Sequence, residues 1–458
     1  MATPMIRYAV LTLWMAAGLS AADNAPGIFT PESTEFLTRF LNTPSPSTKE
    51  EKAQQMWLDR VSPHADRVGK DEVGNAWAEF ESPKEDAPTL VIVSHIDEVG
   101  LEVKETTPRG FVKVKLLGHP DPDAVASVPY VFHGSKGPVP AFAGCRPRWW
   151  EGMKPDAVVP VDRQLELIET EMNASGDCYR MSWMERLQMR QRYAKAILEP
   201  DERNKGRDHF AKWVNVEFDV GANNAAQVEQ MGIVPGTLCV PATQAEIIAE
   251  SRLVAHGLDN RLHVFLLSEL APYLAAHKND LQYNVVLLSA VREEMGLLGS
   301  FAYFLKNPPE QVIALDCTVD SMQYPDEQFE GLPISMGKGP VLQAYPGRIA
   351  GNARYRFDRK MNRSLENLAN VKGIPMQKDT FKMVGLSDFL SAMMMGGRAT
   401  MIGCPVRYMH SPREMADLRD VDALLKLMQA FVTTPPEGVS ASASPKEVPV
   451  GVAETVAE

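Results

Sequence analysis

Two adjacent glutamates, Glu293 and Glu294, follow the apolar run at residues 285–288 and give the most direct indication of chemistry. Adjacent side chains on an extended segment point in opposite directions, so one carboxylate can bind a metal ion while the other faces a water on that metal. A ligand and a general base would then stand together. Alone, two glutamates after a strand are more often a solvated turn, so the hypothesis depends on companions elsewhere.

Polar residues that can bind divalent metals also end several strand-like runs. His95 ends the run that begins at residue 89, with Asp97 close behind it, Asp316 follows residues 312–315, and His410 closes residues 401–409. In open α/β sheets the ligand crevice lies outside the carboxyl ends of the strands, so these side chains are expected to converge. Imidazole nitrogen and carboxylate oxygen are common ligands of divalent metals.

Asp259 occupies a different position, because it opens a helical pattern that continues at Leu262, Phe265 and Leu266. An acid is favourable at the positive end of a helix. Viewed singly, Asp259 would be a helix cap, and His95 or His410 would be a core histidine. Their joint occurrence at strand and helix ends instead indicates a metal site.

The segments around these positions resemble the motifs of the M42 family of metallo-aminopeptidases, relatives of the glutamyl and tetrahedral aminopeptidases. The resemblance covers most of residues 34–433 and implies an α/β fold, a three-layer zinc-peptidase-like catalytic domain with an inserted small β-barrel domain. The matching segments, in chain order, are residues 94–100, 257–261, 293–296, 316–318 and 407–412, the last together with 414–415 and 417–418.

The resemblance also implies the ligands of two divalent metal ions per subunit. His95 and Asp316 would bind one ion, Glu294 and His410 would bind the other, and Asp259 would bridge the two. Zinc is favoured, with cobalt or manganese as alternatives. Three protein ligands for each ion leave coordination positions open for water and substrate.

Two more residues receive roles from the same resemblance. Glu293 would act as the general base that takes a proton from the metal-bridging water. Asp97 would lie outside the ligand set and would hydrogen-bond the free ring nitrogen of His95, fixing its tautomer.

The sequence therefore predicts a dinuclear metal-dependent aminopeptidase that hydrolyses N-terminal residues from peptides. One alternative is a metal-dependent deacylase or amidohydrolase that uses the same site. Another is a non-catalytic binding or assembly protein that keeps the fold, which loss of Glu293 or a ligand would favour; none of them is lost here.

Two departures from the family pattern concern the surroundings of the site. Asn260 follows the bridging aspartate where many relatives carry a second acid, so altered electrostatics or metal preference is expected, without loss of the site. Residues 386–388, Leu-Ser-Asp, stand where relatives have Gly-Thr-Asp near the substrate pocket, so specificity is expected to differ.

The composition of the chain limits the classes of partner that it is expected to bind. The chain has 458 residues, 45% of them hydrophobic and 23% charged, which excludes disorder throughout. A net charge of -12 argues against nucleic-acid and anionic-membrane binding, because both reward basic surfaces. The expected partners are peptide substrates and, from the resemblance, further copies of the chain in a homo-oligomer; no nucleic acid and no stable membrane insertion are expected.

The predicted domain boundaries begin with a signal peptide at residues 1–22, because Arg7 precedes an apolar stretch and small residues that suit cleavage. This predicts export to the periplasm or the extracellular space, with a cytoplasmic location as the alternative. The further boundaries are a catalytic domain at 28–104 and 252–433, an inserted barrel at 105–251, and a disordered tail at 434–458.

Within the insertion, short alternating runs at 111–116, 128–132 and 214–218 favour a small β-barrel. Residues 145–212 exceed a compact turn and are predicted to form a helical excursion; if it blocks the subunit contacts of the family, the protein would be a dimer. Cys145 and Cys178 could pair after export, whereas Cys317 and Cys404 are expected to be buried.

Overall fold

A computed structural model describes residues 29–120, 122–125, 128–143, 216–321, 334–344, 357–379 and 387–435. A central sheet with helices on both faces forms one part of the molecule, and a closed barrel of short strands forms the other. This confirms the predicted α/β class with an inserted small barrel. No helix within the described ranges combines the length and apolar character needed to cross a membrane.

The central sheet has eight strands in the order β1-β2-β12-β3-β13-β17-β15-β16. Its middle strands β12, β3, β13 and β17 are parallel neighbours, which brings their carboxyl ends to one edge. The bounds are β1 Arg67–Lys70, β2 Ala76–Phe80, β3 Thr89–His95, β12 Asn284–Ala290, β13 Gln311–Leu315, β15 Val341–Gln343, β16 Gln377–Asp379 and β17 Arg398–Gly403.

Both faces of this sheet are covered, as expected of a parallel sheet with continuous apolar strands. In β3, Leu90 and Ile92 join one apolar core, whereas Val91 and Val93 join the other. The larger core contains residues of α1, α2, α5, α7 and α9, and the smaller contains residues of α6 and α8. These helices are α1 Pro31–Leu41, α2 Glu51–Val61, α5 Leu258–Ala276, α6 Leu298–Lys306, α7 Arg359–Lys372, α8 Asp388–Met394 and α9 Leu418–Val432.

A second sheet of five strands lies beside the carboxyl edge of the first and has the order β10-β11-β19-β18-β14. Strand β11 leads into α5, and β18 leads into the turn that carries His410, so this sheet supplies the other half of the site. Its strands are β10 Glu246–Ile248, β11 Arg252–Ala255, β14 Thr318–Val319, β18 Pro405–Arg407 and β19 Glu414–Asp417.

The barrel closes in the order β4-β5-β8-β7-β6-β9 around its own apolar core. Tyr130 and Phe132 pack edge-on against Phe218 within that core. The strands are β4 Gly100–Thr106, β5 Phe111–Leu117, β6 Pro129–Gly134, β7 Gly137–Ala143, β8 Glu217–Asp219 and β9 Leu238–Pro241, with short helices α3 Pro122–Val125 and α4 Ala225–Gln230.

The barrel strands start and end earlier than the predicted boundaries of 105 and 251. Strand β4 begins at Gly100, only five positions beyond His95, while β10 already pairs with β11 of the second sheet. No break in the sequence after His95 marks the point at which the chain leaves the central sheet and enters the barrel. The predicted signal peptide, the whole of the 145–212 excursion with Cys145 and Cys178, and residues 436–458 lie outside the described residues.

Candidate metal centre

Three neighbouring strands deliver residues to one point at the carboxyl edge of the central sheet. His95 is the last residue of β3, Asp316 directly follows β13, and the glutamate pair lies in the turn after β12. Their convergence follows from the parallel register predicted for the sheet.

The other two candidates come from the second sheet. Asp259 lies at the start of α5, where its own φ and ψ are not helical, and its carboxylate faces two histidines without capping the helix. His410 lies in a turn after β18, at a φ of 63°. The run 401–409 is therefore not one strand: it divides between β17 and β18, which belong to different sheets.

Asp259 stands between two groups of possible ligands. Its Oδ1 lies 3.4 Å from His95 Nε2, and its Oδ2 lies 3.5 Å from His410 Nε2. Ligand atoms of His95, Asp259 and Asp316 lie within 4.8 Å of one another, as do those of Asp259, Glu294 and His410. A third combination, His95 with Glu293 and Glu294, meets the same limit. Distance alone therefore does not separate a ligand from a base within the glutamate pair.

Backbone carbonyls orient both imidazole rings. His95 Nδ1 lies 3.0 Å from the carbonyl oxygen of Asp97, and His410 Nδ1 lies 3.1 Å from the carbonyl oxygen of His119 in the segment after barrel strand β5. A carbonyl oxygen only accepts, so Nδ1 donates in each ring and Nε2 points at the carboxylates. The barrel thus takes part in shaping the site.

Asp97 has a different contact from the one predicted. Its main-chain carbonyl holds His95, while its carboxylate Oδ1 is 3.5 Å from the same ring nitrogen. The carboxylate instead accepts hydrogen bonds from the backbone N–H groups of Glu293 at 2.9 Å and Glu294 at 3.2 Å, and from the hydroxyl of Ser47 at 2.6 Å. The fully buried Asp97 therefore positions the glutamate pair.

The glutamate pair does not lie on an extended segment. The chain turns at Arg292, whose φ is 56°, and the carbonyl of Glu293 accepts from the backbone N–H groups of Gly296 and Leu297. Glu293 Oε2 lies 3.8 Å from His95 Nε2, and Glu294 Oε1 lies 3.3 Å from His410 Nε2. The turn directs the two carboxylates to the two histidines, which the alternation of a strand would not do.

The concentration of buried acids shapes the electrostatics. Burial raises the pKa of Glu293, Glu294 and Asp316, and neighbouring carboxylates add to the effect. Burial opposes a charge on each histidine, yet the surrounding carboxylates raise the pKa of His95 well above its ordinary value and that of His410 to about 11. The site is therefore an environment that strongly favours positive charge.

The two departures from the family pattern lie directly behind Asp316. Asn260 donates from Nδ2 to the carbonyl of Leu315 at 2.8 Å and accepts from Nδ1 of the buried His263. Ser387 donates its hydroxyl to Asp316 Oδ2. Next to it, Asp388 is buried among like charges, and desolvation raises its pKa to about 7. Leu386 lies outside the described residues.

Glu414 lies within the segment that resembles the last family motif, and no role for it is predicted from the sequence. It is 1% exposed and accepts from the backbone N–H groups of both Asp259 and His410. Ser47, the partner of Asp97, was also missed. The signal available for Glu414 was its place in the segment that resembles the last family motif, close to His410 in the sequence.

Comparison with known proteins identifies the family. The profile of the M42 glutamyl aminopeptidase family matches residues 74–165 and 195–427. The chain belongs to this family. M42 members are peptide hydrolases that depend on metal ions, so this M42 chain is a peptide hydrolase, and its candidate ligand groups are those described above.

Similar proteins extend the match over nearly the whole chain. The lysyl aminopeptidase of Pyrococcus furiosus is 25% identical over 403 residues, which cover 87% of this chain and 96% of that protein. The TET aminopeptidase of a marine sediment Thaumarchaeota archaeon superposes with a TM-score of 0.70 at 21% identity, covering 88% of this chain and 97% of that chain. The Pyrococcus horikoshii TET1 peptidase, described as assembling into a tetrahedron or a large octahedral shell, gives a TM-score of 0.64 at 21% identity, with 87% and 99% covered.

Proposed function

We propose that this M42 peptidase is a dinuclear metal-dependent aminopeptidase. The observation that supports the proposal best is the position of Asp259, whose two carboxylate oxygens face the two histidines, one oxygen toward each. A carboxylate between two nitrogen donors, each with further acids close by, fits a bridging ligand.

The donor set fits two divalent cations. His95, Asp259 and Asp316 would hold one ion, and Asp259, Glu294 and His410 would hold the other. All donors are imidazole nitrogen or carboxylate oxygen, a chemistry that suits zinc and also cobalt or manganese. The strong preference for positive charge within the buried cluster agrees with this assignment.

Divalent ions, when bound, would polarise the scissile carbonyl and lower the pKa of water from about 15.7 toward about 7. Glu293 takes the proton from the attacking water and later returns it to the departing amine. Asp97 holds the backbone of Glu293 at 2.9 Å, so this base has a fixed position relative to His95. The acids of the site would bind the cationic end of a peptide substrate favourably.

The proposed substrates are peptides with a free α-amine, as the names of similar proteins indicate for those enzymes. A panel of aminoacyl anilides and N-acyl amino acids tests this choice with chelated enzyme and with enzyme reconstituted with zinc, cobalt or manganese. Metal-dependent cleavage of the anilides is expected. Cleavage of the acylated compounds alone would identify a deacylase and would contradict the proposal.

The base is tested by Glu293→Gln, with the exposed Glu72→Gln as the matched control. Loss of a general base commonly costs about 10²–10⁴-fold in rate. We expect a loss of this size in kcat for Glu293→Gln, with bound metal unchanged and the control unaffected. Normal turnover in Glu293→Gln would remove Glu293 from this role.

We also propose that the protein forms a homo-oligomer. Support comes from the assembly described for the Pyrococcus horikoshii relative and from the barrel, which has its own core and is inserted after His95. Light scattering of the purified full chain should give a mass several times that of one chain of 50.6 kDa. A monomer at micromolar concentration would contradict this proposal.

Export is a separate proposal, supported by the charged, apolar and small-residue pattern of residues 7–22. Fractionation of producing cells, followed by sequencing of the amino terminus, should yield a mature chain that starts near residue 23. A full-length chain confined to the cytoplasm would contradict it.

A further inference from the structure

One buried carboxylate joins the two residues that the second sheet brings to the site. Glu414 begins β19 and is 1% exposed. Its Oε2 accepts from the backbone N–H of Asp259 at 3.0 Å, and its Oε1 accepts from the backbone N–H of His410 at 2.8 Å. The side chain therefore spans two loops that are remote in the sequence and adjacent in space.

We propose that Glu414 is a positioning residue that fixes the main chain of Asp259 relative to that of His410, and thereby sets the geometry of the second metal position. The inference rests on the proposed metal site. It adds a role for a residue that need not touch metal or substrate, because it acts only through the backbone of two ligands.

The conformation of the His410 turn explains the need for such a residue. His410 and Tyr408 have φ values of 63° and 60°, in the left-handed region that side-chain-bearing residues seldom occupy. A conformation of this kind persists only where the surroundings hold it. The bond from His410 N–H to Glu414 and the bond of its ring to the His119 carbonyl hold it from two sides.

The chemistry of the contact requires two acceptors. Both partners of Glu414 are backbone N–H groups, which only donate, and a carboxylate offers an oxygen to each. Glutamine has the same size but only one acceptor oxygen, so its NH₂ group would face one of the two donors. A buried donor would then lose its partner, although packing would hardly change.

Asp97 makes the same kind of contact on the opposite side of the site. Its two carboxylate oxygens accept from the backbone N–H groups of Glu293 and Glu294. Two buried acids thus hold the main chain of four site residues in pairs. The repetition supports a positioning role for Glu414, because filling space alone would not require an oxygen aimed at each amide.

The test compares Glu414→Gln, Glu414→Asp and a control, Arg413→Gln, in the full chain. Arg413 is the neighbouring residue, is exposed and pairs with Glu246 at the surface. Each metal-free protein is first checked by thermal unfolding and then titrated with Co²⁺, with the visible absorption spectrum recorded. Affinity and spectrum report the ligand geometry independently of activity.

The proposal predicts about 10–100-fold weaker Co²⁺ binding in at least one of the two binding steps of Glu414→Gln, the range for loss of a group that orients ligands. Glu414→Asp, which keeps two acceptors on a shorter stem, should lie between Glu414→Gln and the wild type, and the control should match the wild type. A space-filling role predicts the reverse order, because Gln preserves the volume and Asp does not. Binding by Glu414→Gln within twofold of the wild type would overturn the proposal.

If Glu414→Gln does not fold, amide hydrogen exchange on the metal-free wild-type protein decides the question. The Asp259 and His410 amides should both be strongly protected, and rapid exchange at either would overturn the inference. A wild-type protein that binds no Co²⁺ and has no activity would refute the proposed function and this inference together. Normal Co²⁺ binding by the wild type, together with unchanged Co²⁺ binding by Glu414→Gln, would refute the inference alone.

Discussion

Replacing Asn260 by aspartate should destabilise this protein strongly at neutral pH. The Asn260 amide is fully buried, donates to the Leu315 carbonyl at 2.8 Å and accepts from His263. A carboxylate would set an oxygen against the Leu315 carbonyl. His263 offers no compensating charge, because its Nε2 already accepts from the backbone N–H of Cys404 at 2.9 Å, and burial lowers its pKa to about 3.

The magnitude follows from the pKa of the new acid. To keep the bond to the Leu315 carbonyl, the introduced aspartate must stay protonated in the folded state, whereas an unfolded aspartate titrates near about 3.9. If the pKa of this aspartate is higher in the folded state than in the unfolded state, the free energy of unfolding is unaffected below about pH 4. Above that pH it falls by about 1.4 kcal/mol for each pH unit. The penalty should therefore reach about 4 kcal/mol at pH 7 and fade as the pH falls toward 4.

Urea unfolding of the metal-free wild type and Asn260→Asp between pH 4.5 and 7.5 measures this difference, in which titrations common to both proteins cancel. Asn307→Asp is the control, because Asn307 is exposed at the end of α6 and should change stability by no more than about 0.5 kcal/mol. A difference between wild type and Asn260→Asp that does not grow with pH would refute the reasoning.

Three further predictions test the packing of the site and of the barrel core. Gly403→Ala would place a Cβ 1.6 Å from the Asp316 carbonyl oxygen. We therefore expect urea unfolding to show a destabilisation of at least about 1–3 kcal/mol, together with weaker metal binding. A Gly403→Ala protein as stable as the wild type would contradict the close approach. Ser387→Ala removes the hydroxyl that orients Asp316 and should weaken metal affinity about 10-fold, whereas Ser387→Thr should retain it, and equal affinities would contradict this role. Burial raises the pKa of the thiols of Cys239, Cys317 and Cys404. Pulse alkylation of the native protein at pH 8, followed by mass mapping, should therefore leave these three cysteines unmodified. Early labelling of any of them would contradict their burial.

The site residues at strand ends could be predicted from the sequence because apolar runs mark each strand and the position at which it ends. Apolar runs end at His95 and before Asp316, and parallel pairing then brings their ends together. The burial expected for Cys317 and Cys404 is confirmed for the same reason, since both flank such runs. The barrel was also predictable, from alternation and turn residues, although its first strand begins at Gly100 without any break in the sequence.

Other features depend on contacts that no spacing encodes. The turn at Arg292, with a positive φ, aims both glutamates inward, where strand alternation predicts divergence. Asp97 contacts backbone amides with its carboxylate, and Glu414 does the same for remote loops. A backbone N–H has no residue type, so a sequence cannot indicate which acid will bind it. The pairing of Asp259 with two histidines came from the family resemblance.

The most direct test of the two-metal proposal is a crystal structure of the full chain grown with zinc or cobalt, with anomalous difference maps recorded at the metal edge. We predict two peaks per subunit, about 3.5–4 Å apart. One peak should lie among His95, Asp259 and Asp316, and the other among Asp259, Glu294 and His410. A single peak, or two peaks that do not share Asp259, would contradict the proposal.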